Sequence, residues 1–269
     1  MGIVQGVTEF LPISSSGHLV ILQNLFGMTE PQVFLDVMLH VGTLSAVFVV
    51  FRRDIAELAR AGFQMIRTRT PGAASSERML LAIIVGSVPT ALIGFLFADQ
   101  FERLFSSMLS AGIGLILTGF LLKATQRQTQ ENMVRAMDGA SGITVRQAGL
   151  IGTIQGLAII PGISRSGSTI AVALLLGVPR ETAARFSFLL SIPAILGALL
   201  LEGKDVFSAA GSGIGNMPAI LAGTVIASGV GIVSLVLLLR IVRRGRLSMF
   251  AYYCWLLGAL AIIGGILKG

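Results

Sequence analysis

The chain has 269 residues, 54% hydrophobic and only 12% charged, with a mean hydropathy of +0.86. This balance lies far outside the range of soluble globular domains and marks a polytopic membrane protein. A net charge of +7 and a pI near 10.7 would fit nucleic-acid binding in a soluble protein. In so apolar a chain, basic residues belong to cytoplasmic loops, and no nucleic-acid partner is expected.

The first apolar stretch, 1–27, is long enough to cross a bilayer but is interrupted at "EFLPISSSGHLV" (9–20) by a carboxylate, a proline, three serines, a glycine and a histidine. Segments meeting the requirement of about 20 mainly apolar residues follow at 33–51, 79–98 and 107–123. The stretch 147–178 is interrupted in turn by "PGISRSGST" (161–169), and spans at 186–202, 216–239 and 248–267 complete the chain. Broken helices persist at membrane depth only where the freed backbone groups are buried in protein or face a wet cavity. Both interrupted stretches therefore read as re-entrant helical hairpins. The expected fold is all-α, six transmembrane helices plus two hairpins in a single integral-membrane domain, surrounded by membrane lipids. No cleavable signal peptide is expected ahead of the first motif. Cys254, the only cysteine, sits in "YYCWLLGALAII" as an expected packing residue, which leaves no disulfide.

Basic residues set the orientation. Segments 52–78, 123–146, 180–185 and 240–246 carry sixteen of the twenty Lys and Arg residues and are assigned to the cytoplasm; Arg103, Lys204 and Lys268 fall on the other side. Arg165 lies inside the second interrupted stretch.

Shifted by 150, "QGVTEFLPISSSGH" (5–18) aligns with "QGLAIIPGISRSGS" (155–168) without a gap, with identities at Gln5, Gly6, Ile13, Ser14, Ser16 and Gly17. Each half, about 1–124 and 146–269, is one hairpin and three spans. Because three is odd, the second half enters the membrane inverted. Inverted repeats with paired broken helices point to a site where the breaks meet.

Ionisable groups at membrane depth are costly and carry a functional presumption. Glu9, His18 and Arg165 are the three such groups in the breaks. The guanidinium fork of Arg165 suits phosphate oxygens. Gly162 and Gly167 let backbone amides approach closely, and a half-helix beginning there presents its positive end to an anion. The first hairpin offers a hydroxyl, a histidine one helical turn away, and a carboxylate. Attack by Ser15 with His18 as base is one reading; water activated by Glu9 and a metal is the other. His40 reads more readily as a buried, hydrogen-bonded residue than as a catalytic one. Gly6, Gly17, Gly156 and Gly167 read first as packing and turn residues. The run 211–231 reads as a connection and close helix packing. Ser187 and Ser191 either line the cavity or bond to their own helix.

"QGVTEFLPISSSGH", "PGISRSGST" and the flanking "RFSFLLSIPAILGALL" together resemble the bacterial undecaprenyl-pyrophosphate phosphatase family, also called bacitracin-resistance proteins. The resemblance implies roles for Gln5, Glu9, Ser15 and His18 in the first motif and phosphate binding by Arg165, Ser164, Ser166 and Thr169 in the second, so Glu9, Ser15, His18 and Arg165 are the expected catalytic set; Ser14, Ser16, Gly162 and Gly167, read from their places in the breaks, join Gln5, Ser164, Ser166 and Thr169 as expected substrate contacts. It also implies hydrolysis of a C55 lipid pyrophosphate to the monophosphate carrier recycled in peptidoglycan synthesis, at the bacterial plasma membrane, with Mg²⁺ or Ca²⁺ dependence. Many relatives have a carboxylate where this chain has Gln5 and carry more helix ahead of that motif. Glu9 is then the lone local acid for a cation, with substrate phosphates and waters completing its shell. The rival reading is a transporter or flippase for an anionic lipid or phosphate-bearing solute, which the repeat architecture fits equally well. Small-xxx-small patterns permit a homodimer.

Overall fold

The computed structural model describes residues 1–26, 33–68, 75–105, 107–126, 142–209 and 217–268. Among these, regular structure is entirely helical, with no strand. The first half contributes α1 (Gly2–Thr8), α2 (Ser15–Leu25), α3 (Val33–Val50), α4 (Arg52–Thr68), α5 (Ser75–Leu96), α6 (Ala98–Phe105) and α7 (Met108–Ala124). The second contributes α8 (Val145–Leu157), α9 (Arg165–Leu175), α10 (Arg180–Ala209), α11 (Met217–Arg243) and α12 (Phe250–Lys268). Among the described residues, four helical stretches are long and apolar enough to cross a membrane: α5, Arg180–Leu200 of α10, α11 and Leu247–Leu267. The count reaches six if the bent pairs α3–α4 and α6–α7 each serve as one span.

Segment 52–78, expected to be a loop, is helical from Arg52 to Thr68 and turns 80° away from α3. Its pattern explains this. Ile55 and Leu58 pack on the core and Ala61 is buried, while Arg52, Arg53, Arg60 and Arg67 spread over the polar face, so the helix is amphipathic and suited to an interface. The arginines of 180–185 form the first turns of α10 rather than a loop. Residues 69–74 and 127–141 of the expected loops, and 211–216 of the glycine-rich run, lie outside the described residues.

Charges from separate segments assigned to the cytoplasm meet at one end of the bundle. Arg185 pairs with Asp54 and, at 3.4 Å, with Glu57; Arg243 pairs with Glu181 at 2.7 Å. Arg180 Nη1 donates to the Arg243 carbonyl at 3.4 Å, and Lys123 Nζ to the Tyr252 hydroxyl at 2.7 Å. Such exposed pairs add little stability. Their value is topological, since they put 52–57, 180–185 and 243 on one face.

The two breaks share one local design. Pro12 interrupts the first and Pro161 the second, each removing a backbone donor from what would otherwise be continuous helix. Ser14 caps α2 by accepting the Gly17 N–H at 3.2 Å, and Ser164 caps α9 by accepting the Gly167 N–H at 3.1 Å. The capped helices thus begin at equivalent positions of the two halves. Each half's opening helix packs on a helix of the other half: α1 lies along α11 and α8 along α5. α8 and α5 come so close that a Cβ on Gly152 would sit 1.9 Å from the Gly86 carbonyl oxygen. α7 runs along α12 and also receives both α2 and α9.

Gly162, in the second break, has φ +87°, and a Cβ there would lie 2.0 Å from the Ala111 carbonyl oxygen. Gly162→Ala is expected to cost about 2 kcal/mol or more, read as a lowered thermal midpoint of the solubilised protein. Gly149→Ala, with nothing within 4 Å of the added methyl, is expected to leave the midpoint unchanged.

Candidate active site

The two breaks are in direct contact although they belong to opposite halves of the chain. A Cβ on Gly17 would lie 3.0 Å from Gly162 Cα, and one on Gly167 would lie 3.0 Å from Pro12 Cβ. Ser166 Oγ donates to the Phe10 carbonyl at 3.1 Å.

Glu9 stands at this junction with its side chain only 4% exposed. Burying a carboxylate is costly unless it is paired and hydrogen-bonded. Both of its oxygens are occupied. Oε1 takes the guanidinium of Arg165. Oε2 accepts from Gln5 Nε2 at 3.0 Å and from Ser15 Oγ at 2.6 Å. Arg165 is the first residue of α9, so its side chain and the positive end of the half-helix share one location. With 24% of its side chain exposed, it stands at the rim of the site.

Gln155 shows what position 5 does without an acid beside it. Its neighbour in the repeat is Ile159 rather than Glu9, and its Nε2 reaches Thr90 Oγ1 at 3.2 Å and the Leu190 carbonyl at 3.3 Å. The same residue type serves packing in one half and holds the carboxylate in the other.

The expected Ser15–His18 pair gives way to Ser15–Glu9. His18 Nδ1 lies 2.7 Å from the Ser14 carbonyl, an acceptor only, so that nitrogen carries the proton and donates. In the neutral ring Nε2 then accepts from the Tyr253 hydroxyl at 2.7 Å, with the two rings stacked at 5.7 Å. His18 thus ties the start of α2 to α12. One-turn spacing suggests a bond to Ser15; a backbone carbonyl of the preceding turn and a tyrosine from the far end of the chain occupy the ring instead.

His40, which reads from sequence as structural, lies with Nε2 3.7 Å from Glu9 Oε2. Ser14 and Ser16 hydroxyls are 3.2 Å apart at the first break, and Ser164 and Ser166 3.4 Å apart at the second. Ser14 holds φ at 66°, a left-handed value uncommon for a residue with a side chain. Thr169 is fully buried; its hydroxyl bonds the Arg165 carbonyl at 2.8 Å and pairs with Ser187. Ser191 bonds its own helix at the Phe188 carbonyl, 2.8 Å away.

Two supporting residues carry no signal in the sequence. Thr118 donates to the Gly162 carbonyl at 3.0 Å and accepts the Ser164 N–H at 3.0 Å, clamping the second break to α7. Tyr253 holds His18. Each is a polar group in a largely apolar helix whose partner is distant in sequence, so no local pattern marks it.

A divalent cation would find few free donors here. Both Glu9 oxygens are engaged, and among the described residues no group of three or more His, Cys, Asp or Glu side chains is gathered to hold one. Gln5 Oε1, buried beside Glu9 without a hydrogen-bond partner, is one free oxygen, too few on its own to make a resident cation site.

A polar centre between two broken helices, with a carboxylate, a hydroxyl and an arginine within an apolar helical bundle, defines a multi-pass membrane protein with a buried, charge-paired site. Comparison with known proteins agrees. The chain belongs to the bacitracin resistance protein BacA family, whose model matches residues 1–260. An undecaprenyl-diphosphatase of Desulfatibacillum aliphaticivorans is 47% identical, with the alignment covering 98% of this chain and 96% of the relative. One from Desulfosudis oleivorans is 48% identical over 97% and 95%, and one from Halothermothrix orenii 43% identical over 98% and 95%.

Proposed function

We propose that the chain is an integral-membrane phosphatase that hydrolyses undecaprenyl pyrophosphate to undecaprenyl phosphate and inorganic phosphate. It thereby recycles the lipid carrier for peptidoglycan synthesis in the bacterial plasma membrane and confers bacitracin resistance. The observation that carries this reading is one carboxylate, Glu9, holding both Arg165 and the Ser15 hydroxyl, in a chain 40–48% identical to proteins named for that activity. A site for carrying an anion needs the arginine; a hydroxyl hydrogen-bonded to a carboxylate beside it is a reactive arrangement.

The division of labour follows from the chemistry of the groups. Arg165, the α9 N-terminus and the hydroxyls of Ser164 and Ser166 bind the pyrophosphate and offset the charge that builds on it. Glu9 accepts the Ser15 proton as Oγ attacks the terminal phosphorus, and undecaprenyl phosphate departs with the bridging oxygen. Water then cleaves the phosphoserine, returning a proton to Ser15 Oγ and releasing inorganic phosphate. Gln5 holds Glu9 in place, and His18 fixes the first turn of α2 that carries Ser15. Ser14, Ser16, Gly162, Gly167 and Thr169 shape the two breaks around the phosphates.

With both Glu9 oxygens paired, a Mg²⁺ or Ca²⁺ ion would be held by the substrate pyrophosphate rather than by the protein, and would offset phosphate charge there. The filled donor set of Glu9 supports that route, and Mg²⁺ commonly keeps several waters and binds through substrate phosphates. Titration of Mg²⁺ into substrate-free protein is expected to give no saturable binding, with activity lost to EDTA and restored by either cation. A stoichiometric cation in substrate-free protein, lost in Glu9→Gln, would contradict this.

The purified protein is expected to release phosphate from undecaprenyl pyrophosphate or a shorter isoprenoid pyrophosphate. Glu9→Gln, Ser15→Ala and Arg165→Ala are each expected to lower turnover about 10²-fold or more at unchanged detergent elution profile. Reconstituted vesicles that moved the lipid without hydrolysing it would overturn the phosphatase reading.

A further inference from the structure

His40 occupies a position that the roles assigned above do not use. It lies on α3, and its Nδ1 is 2.8 Å from the Asp36 carbonyl, which can only accept, so the ring proton sits on Nδ1. In the neutral ring the lone pair is therefore on Nε2, and Nε2 is the atom 3.7 Å from Glu9 Oε2. This is the same carboxylate oxygen that accepts the Ser15 hydroxyl. His18, the other histidine, already has both nitrogens engaged. About a third of the His40 side chain is exposed, against 4% for Glu9, so the histidine lies between the buried acid and the surface of the bundle.

We propose that His40 takes up, through Glu9, the proton released when Ser15 attacks. The proposal rests on the phosphatase reading above. In that step the Ser15 O–H bond breaks, Oγ bonds to the terminal phosphorus, and the bond to the bridging oxygen breaks with its electron pair leaving on the lipid monophosphate. The proton passes to Glu9 Oε2 and on to His40 Nε2, which leaves an imidazolium facing a regenerated carboxylate. Their separation of 3.7 Å is an ion-pair distance, and catalytic contacts commonly tighten once substrate is bound. A second ionisable group beside Glu9 is what Gln5 cannot supply, because an amide neither gains nor loses a proton in this range. Glu9 touches the reacting hydroxyl; His40 acts through it and is a positioning residue for the proton.

The groups that face His40 are few. Its own helix contributes Asp36, whose carboxylate is held from α2 by Gln23 Nε2 at 3.0 and 3.1 Å. The first break contributes Glu9, and α9 contributes Arg165 through Glu9. α11, packed along α3, has no titratable side chain between Met217 and Leu239. The part of α10 between Phe186 and Leu200 has none either.

The test compares wild type with His40→Gln, which keeps a donor of similar reach but does not titrate, on farnesyl pyrophosphate in detergent between about pH 5 and 8. Taking the ratio of kcat values cancels the titration of the substrate phosphates. Histidine accepts a proton only when neutral, so the ratio of wild type to variant is expected to rise with pH. It should run from near one at the acid end to about tenfold or more at the alkaline end, with KM little changed. His40→Asn, checked by thermal melting, repeats the comparison if the glutamine variant folds poorly. A ratio independent of pH, whether one or larger, would overturn the proposal, because it would mean that His40 only supports the structure. So would a pH dependence that survives in His40→Gln and disappears in His18→Gln. A wild type with no phosphatase activity would bring down the underlying reading as well; an active wild type with a flat ratio overturns this assignment alone.

Discussion

The site depends on one ion pair between halves of the chain that are otherwise packed helix on helix: the Glu9 carboxylate against the Arg165 guanidinium, within an apolar bundle. Neither charge is tolerable there alone, since taking an ion out of water costs several kcal/mol that only a partner and further hydrogen bonds offset. Gln5 and Ser15 fill the remaining acceptor positions of Glu9. The broken helices bring these groups together by exposing side chains and capped helix ends where a continuous span would present only a wall of methyl groups.

The repeat explains how one backbone design provides two different surfaces. Ser14 and Ser164 make the same cap, and α2 and α9 start at equivalent positions. The differences that matter chemically are in the side chains, with Glu9 opposite Ile159, Ser15 opposite Arg165 and His18 opposite Ser168, although the backbones of the breaks differ too, Ser14 holding φ at 66° against −73° at Ser164. One half keeps the acid and the hydroxyl and the other keeps the cation, so the interface between them is chemically polarised while remaining nearly symmetric in packing. Small residues let this happen at close range. Gly17 against Gly162 leaves no room for a side chain between the breaks.

Much of this is legible in the sequence because a membrane imposes strong rules. Long apolar runs have to be helices, proline clustered with serine and glycine in the middle of such a run marks a break, and arginines gather on one side. The meeting of Glu9 with Arg165 follows from the repeat. Finer pairings do not follow. One-turn spacing suggests that His18 serves Ser15, yet the nearest acceptor for its ring is the carbonyl of Ser14, which spacing arguments overlook. His40 reads as structural because its neighbours in sequence are apolar; its approach to Glu9 is made between helices. Thr118 and Tyr253 are invisible for the same reason. The amphipathic helix α4 reads as a loop because its charge density outweighs the spacing of Ile55 and Leu58.

The central claim is that Glu9 and Arg165 neutralise one another across the two breaks. A double-mutant cycle with Glu9→Gln and Arg165→Met, followed by unfolding of the solubilised protein, tests it most directly. Each single change leaves one charge without its partner and is expected to cost about 3–5 kcal/mol, whereas the double variant should cost much less than their sum. Additive losses would show that the two charges are satisfied separately, and would contradict the account.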